Sequence, residues 1–161
     1  MPENSAKMGK ILIAIYSVII LTALGIVAYF VGGISQQTAP IQDYEYQGSI
    51  DELVTDIDKY IKSKPFGKYY ITDTVGDISD DYAIRTTIEL KVNRDLIEFE
   101  LKVEPQNKTV KPIKTNVYLT KAYNKTKISG GYQAESVGIK PLVDFFNSNF
   151  VPSIKGLHKV D

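Results

Sequence analysis

Twenty-three consecutive residues, Ile11 to Gly33, carry no charged side chain. As an α-helix rising ~1.5 Å per residue they would span roughly 35 Å, enough for a ~30 Å hydrocarbon core. A helix buried in a soluble core keeps polar residues on one side, whereas this segment is apolar all round. A secretory signal has an apolar region of only about 7–15 residues followed by a small-x-small cleavage site. Here the run is longer, and the nearest such site, around Ala39, would place Pro40 just after the cut. The segment is therefore expected to be a retained signal-anchor, a single-pass transmembrane helix over 11–33 behind a short tail over 1–10. Lys7 and Lys10 precede it, and the chain after it carries only acidic charges until Lys59. By the positive-inside rule the N-terminus is cytoplasmic and the C-terminal domain extracytoplasmic, at the cell membrane. Gly25, Ala28 and Gly32 form a small-residue stripe that would admit a neighbouring helix.

Residues 34–48, rich in Gln, Thr and Pro, read as a linker, leaving 49–161 for one α+β domain. Ser49 and Glu52 have capping-box spacing, and Ile50, Leu53, Val54, Ile57, Tyr60 and Ile61 share one helical face, with Pro65 as the stop. The pattern then switches to period two. "KYYITDTVG" reads as a first strand. In "YAIRTTIELKV" and "LIEFELKVE", apolar and polar residues alternate so that both apolar sets land on one face of an antiparallel hairpin. Aligning Val92 with Ile97 predicts a four-residue loop over Asn93–Leu96. A second hairpin is expected to turn at Asn124-Lys125, with Gly130-Gly131 as a bulge or strand end. "GIKPLVDFFNSNFVP" then places Leu142, Val143, Phe146 and Phe150 at helical spacing between Pro141 and Pro152. The expected fold is an antiparallel β-meander sheet with two helices on its apolar face and a wet opposite face.

Over residues 49–150 this order of elements resembles the cystatin and NTF2-like group, curved sheets wrapped on a long helix. The resemblance implies a fold only. Anchored members of that group occur in secretion-channel and conjugation assemblies, which makes a secretion-channel-type component one alternative for this chain.

The chemistry on offer is thin. There is no cysteine and one histidine, His158, near the C-terminus. No Ser-His-Asp, Cys-His or transition-metal constellation can be built from that inventory, so no catalytic residue, metal or cofactor is expected. Asp73, Asp77, Asp80 and Asp81 cluster, but off the spacing of a calcium loop, and they read as turn residues. A hydrolase using a carboxylate pair there, Asp80 with Asp81, ranks last.

Charge is unevenly placed. Residues 41–100 hold 14 acidic and 7 basic side chains, and residues 101–161 hold 4 and 10. Either two faces meet different partners, or the two halves of one sheet neutralise each other, and the second is expected. Lys108, Lys111, Lys114, Lys121, Lys125 and Lys127 are the candidates for binding a partner. Nucleic acid is not expected outside the membrane. Asn107 and Asn124 head glycosylation sequons. Tyr44, Tyr46, Tyr69 and Tyr70 suit either an interface or ordinary strands. The functional expectation is a non-enzymatic accessory or assembly subunit of a membrane protein complex or homo-oligomer, working by protein–protein interaction beside the lipid bilayer. The alternative of another class is a tethered domain that binds a ligand or substrate in the concave face of its sheet. Whether Ile84, Ile88, Phe99 and Leu101 are covered or leave a cavity separates the two.

Overall fold

The computed structural model describes residues 20, 22, 39–75, 82–106 and 113–160. The chain divides into two units, Met1–Gln37 and Thr38–Asp161. Of the first, Ile20 and Thr22 are described, both helical. The expected span over 11–33, with Gly25, Ala28 and Gly32, otherwise lies outside the described residues. Among those described, no helix is long and apolar enough to cross a membrane.

The second unit is α+β. Seven antiparallel strands, β1 (Gln42–Tyr46), β2 (Lys68–Val75), β3 (Ala83–Val92), β4 (Asp95–Pro105), β5 (Thr115–Asn124), β6 (Ser129–Gly131) and β7 (Leu157–Lys159), form one sheet. Its order is β2-β3-β4-β5-β1-β7, and β6 shares with β1 the far edge of β5. Helix α1 (Ile50–Lys62) connects β1 to β2 across one face. It starts at the expected capping box: Ser49 Oγ accepts from Glu52 N–H, and Glu52 accepts from Ser49 N–H at 2.8 Å. Leu53 and Ile57 on its inner face are 1 % exposed.

Two expectations are corrected. Gln42–Tyr46, taken with the linker, is a strand paired to both β5 and β7. Its tyrosines alternate with Asp43 and Glu45, so Tyr44 and Tyr46 enter the core instead of forming an interface. The β3–β4 register is also two residues off the expected one: Val92 pairs with Asp95 and Leu90 with Ile97. Asn93 adopts φ 56°, the positive first-position angle of a two-residue hairpin turn, so Asp95 and Leu96 join the strand. A two-residue slip keeps every side chain on its face, so the core is unaffected.

The last helical segment changes gauge twice. Helix α2 (Ile139–Phe145) takes Pro141 inside its first turn, where no N–H is needed. A π turn follows over Phe146–Phe150, then a 3₁₀ turn over Val151–Ser153. Pro152 has no N–H to give to Ser148, so the α ladder cannot run on, and Val151 N–H bonds Phe146 O instead. Phe146 and Phe150 both face inward, with centroids 4.6 Å apart. Phe146 also meets Phe99 at 5.0 Å and Tyr44 at 5.4 Å, and Phe150 meets Tyr60 edge-on at 5.2 Å. The Tyr44 hydroxyl, inside this aromatic core, donates to Asn147 Oδ1 at 2.7 Å.

Candidate interaction surface

The sheet face away from the helices is a lattice of charges. Glu89 of β3 and Glu98 of β4 sit directly opposite, an arrangement that repels unless compensated. Lys125 compensates it, bonding Glu89 and lying 2.5 Å from Glu98. Lys121 lies 2.5 Å from Glu98 and 3.1 Å from Glu100. These positions follow from a bulge in β5, where pairing passes from Glu100↔Lys121 to Leu101↔Leu119 and leaves Thr120 extra. The bulge keeps Val117, Leu119 and Ala122 all facing the core while Lys121 faces out. For Glu98, desolvation by the surrounding side chains opposes ionisation, but the two ammonium groups outweigh it and hold the carboxyl below its ordinary value. For Lys121, burial acts downward and is outweighed by Glu98, Tyr132 and Glu100, so its pKa is raised.

The other described lysines of the candidate set are also engaged. Lys114 lies 2.8 Å from Glu45, and Lys127 lies 2.6 Å from Asp95. Lys127 and Asn124 hold the Asp95 carboxyl below its ordinary range. These four lysines thus neutralise acids of the acidic stretch over residues 41–100, on neighbouring strands. Lys108, Lys111 and Asn107 lie outside the described residues.

Asn124, the described glycosylation candidate, is enclosed by its own turn. It is 3 % exposed, its Nδ2 donates to Asp95 Oδ2, and its Oδ1 accepts from Thr126 and Lys127 N–H. A sugar on Nδ2 would have to displace the Asp95 carboxylate, and the residue serves the turn instead. His158, the histidine near the C-terminus, stands in β7 opposite Glu45, with Nε2 3.4 Å from that carboxylate.

The concave face holds no chamber at the four residues that test for one. Ile84, Ile88, Phe99 and Leu101 are 0–3 % exposed and sealed beneath the helical segments. The clefts lie elsewhere. One of about 380 Å³ borders Tyr46, Asp51, Asp56 and Lys59, and a narrower one of about 160 Å³ borders Ser49, Tyr82, Gln106 and Lys114. In the first, burial and the Asp56 carboxylate push Tyr46 up to about 12; near the second, burial and Asp51 push Tyr82 up to about 12. Both tyrosines donate to those carboxylates. No group of three or more His, Cys, Asp or Glu able to hold a metal occurs among the described residues.

Sequence reasoning missed the exposed apolar side chains of one end of the sheet. Phe66 before β2 is 75 % exposed, Ile128 in the β5–β6 turn 79 %, and Val137 before α2 89 %. Phe66 and Ile128 adopt φ of 64° and 52°, a left-handed geometry unusual for bulky residues. Ile128 and Val137 are neighbours through the backbone, since Gly130 N–H bonds Val137 O at 2.8 Å. The only sequence signal was negative: each stands outside every periodic run, where an apolar side chain has no core to enter.

No protein-family model, curated protein or solved structure matches this chain.

Proposed function

We propose that the chain is a single-pass membrane-anchored accessory or assembly subunit of a membrane protein complex, its extracytoplasmic α+β domain acting by protein–protein contact. The 23-residue uncharged segment supports the anchor, and Lys7 and Lys10 support an N-terminus on the cytoplasmic side. The observation that carries the choice of partner class is the sealed sheet. With Ile84, Ile88, Phe99 and Leu101 buried under side chains, no opening for a small ligand lies at these four positions, which weighs against a tethered domain that binds a ligand there. Contact then falls to exposed surface. The reading as a secretion-channel-type component draws only on the resemblance of the helix, meander and helix order to the cystatin and NTF2-like group.

The test is purification of the full chain from native membrane in mild detergent by an N-terminal tag, read by native gel and mass spectrometry. A stoichiometric larger membrane assembly is the expected result. A lone monomer would overturn the subunit reading.

A further inference from the structure

The sheet has two ends, and the chain enters the domain at one of them. β1 begins at Gln42 opposite Leu119 and runs toward Thr115, so Ile41, whose N–H bonds Leu119 O, comes from the end where β5 turns into β6. That same end carries the start of β2, the β3–β4 turn, the last turn of α1 and the start of α2. Between Gly33 and Ile41 lie eight residue steps, a reach of at most roughly 28 Å when fully extended.

Exposed chemistry gathers there. Phe66, Ile128 and Val137, the most exposed apolar side chains among the described residues of the domain, all stand at the entry end, and Val160 after β7 joins them at 44 %. The opposite end shows Ile113 alone among the large apolar side chains that are described and exposed. Two of the three residues are held in left-handed backbone, which costs conformational energy to present side chains left at least three-quarters exposed. Around them are cations not used in ion pairs. Lys91 stands over the Phe66 ring at 5.0 Å, Lys64 over Tyr60 at 4.8 Å, and Arg94 is exposed in the β3–β4 turn. Aliphatic and aromatic tips ringed by unpaired lysine and arginine match the chemistry of a bilayer surface, where side chains enter the acyl boundary and cations meet anionic headgroups.

We propose that this end is a lipid-contact surface. Phe66, Ile128 and Val137 enter the interfacial layer of an anionic membrane, and Lys64, Lys91 and Arg94 face its headgroups. The proposal rests on the anchored reading, because the tether is what keeps this end within reach of lipid. The contact would fix the tilt of the domain and leave the opposite end, with Ile113 and Lys114, free for a protein partner.

The chain contains no tryptophan, so each introduced one reports alone. The full chain is reconstituted in phosphatidylcholine–phosphatidylglycerol vesicles as single-tryptophan variants: Ile128→Trp, Val137→Trp, Ile113→Trp at the opposite end, and Ile20→Trp within the apolar segment. The readout is emission wavelength and quenching by lipids brominated on the acyl chain. We expect blue-shifted, quenched emission at positions 128, 137 and 20, water-like emission at 113, and loss of the shift at 128 and 137 when Lys64, Lys91 and Arg94 are changed to Gln. Quenching at 20 without quenching at 128 and 137 overturns the contact and leaves the anchor standing. Absence of quenching at all four overturns both. Equal quenching at 113 and 128 also overturns the contact, since no end of the sheet would then be preferred.

Discussion

Phe145 and Phe146 are adjacent, yet truncating them should cost very different amounts. Phe146 is wholly buried and touches Tyr44, Phe99 and Phe150 with centroids 4.6–5.4 Å away. Phe145 is half-buried and lies parallel to Phe99 at 6.3 Å. Phe146→Ala loses the transfer energy of a whole ring and leaves a cavity among rigid neighbours, about 4 kcal/mol. Phe145→Ala loses part of one ring contact at the rim, about 1.5 kcal/mol. A domain of roughly 120 residues unfolds with an entropy of about 250 cal/mol/K, so the midpoints should fall by about 16 °C and about 6 °C. The assay is thermal unfolding of the full chain in mild detergent, followed by near-ultraviolet circular dichroism of its tyrosines. A Phe145→Ala variant that loses as much as Phe146→Ala would refute the reasoning, because the two rings differ in burial and in how many other rings they meet.

Further outcomes follow from the same contacts. Ser49→Ala removes one half of the capping box and should cost about 1 kcal/mol by denaturant titration, with Ser49→Asp keeping most of it. Ile128→Gly removes an exposed side chain from left-handed backbone and should stabilise the domain by up to about 1 kcal/mol, read as a higher unfolding midpoint; a lower midpoint would show that Ile128 packs. Toward acid, stability contributed by Glu98 is present above the ordinary carboxylate pKa and is lost as pH falls through its lowered folded value. Toward alkali, Tyr46 and Tyr82 keep their protons up to about 12, so the stability they lend is complete below an ordinary 10.0 and is lost as pH rises through 12. A spectrophotometric titration at the tyrosinate band should therefore show a late-ionising class that moves to ordinary pH on unfolding. In a host that glycosylates exported chains, peptide mass spectrometry should find Asn124 unmodified.

The helix α1 was legible because its signals agree: Ser49 with Glu52, an apolar face, lysines in the last turn and a proline beyond. The meander was legible from alternation alone, but its register was not, since only the left-handed φ of Asn93 decides between a two- and a four-residue turn. β1 shows two inward residues, Tyr44 and Tyr46, too short a period to outweigh the Pro40 and glutamines before it. What makes it a strand is a pair of neighbours at least 69 and 111 residues away, which no local pattern encodes. The lysines of β5 were visible as a basic run. Their partners were not, because the facing of Lys121 toward Glu98 depends on the bulge at Thr120. The apolar entry end was silent for a different reason: Phe66, Ile128 and Val137 matter by being unburied, and sequence periodicity reports only what is buried.

β1 has a consequence for how the domain comes to exist. It comes first in chain order among the described strands, and its partners are β5 and β7, whose Leu157 follows Tyr46 by 111 residues. At about 5–20 residues per second, this strand waits roughly 6–22 s for its last neighbour. During that interval α1 and the β2–β4 meander can assemble behind it, while Tyr44 and Tyr46 remain outside any core. β5 can pair with one edge of β1 before β7 is made, so the other edge of β1 stays open until Leu157–Lys159 arrive. The closing of this sheet is thus timed by β7, and a truncation that removes only β7 should leave β1 with one edge open.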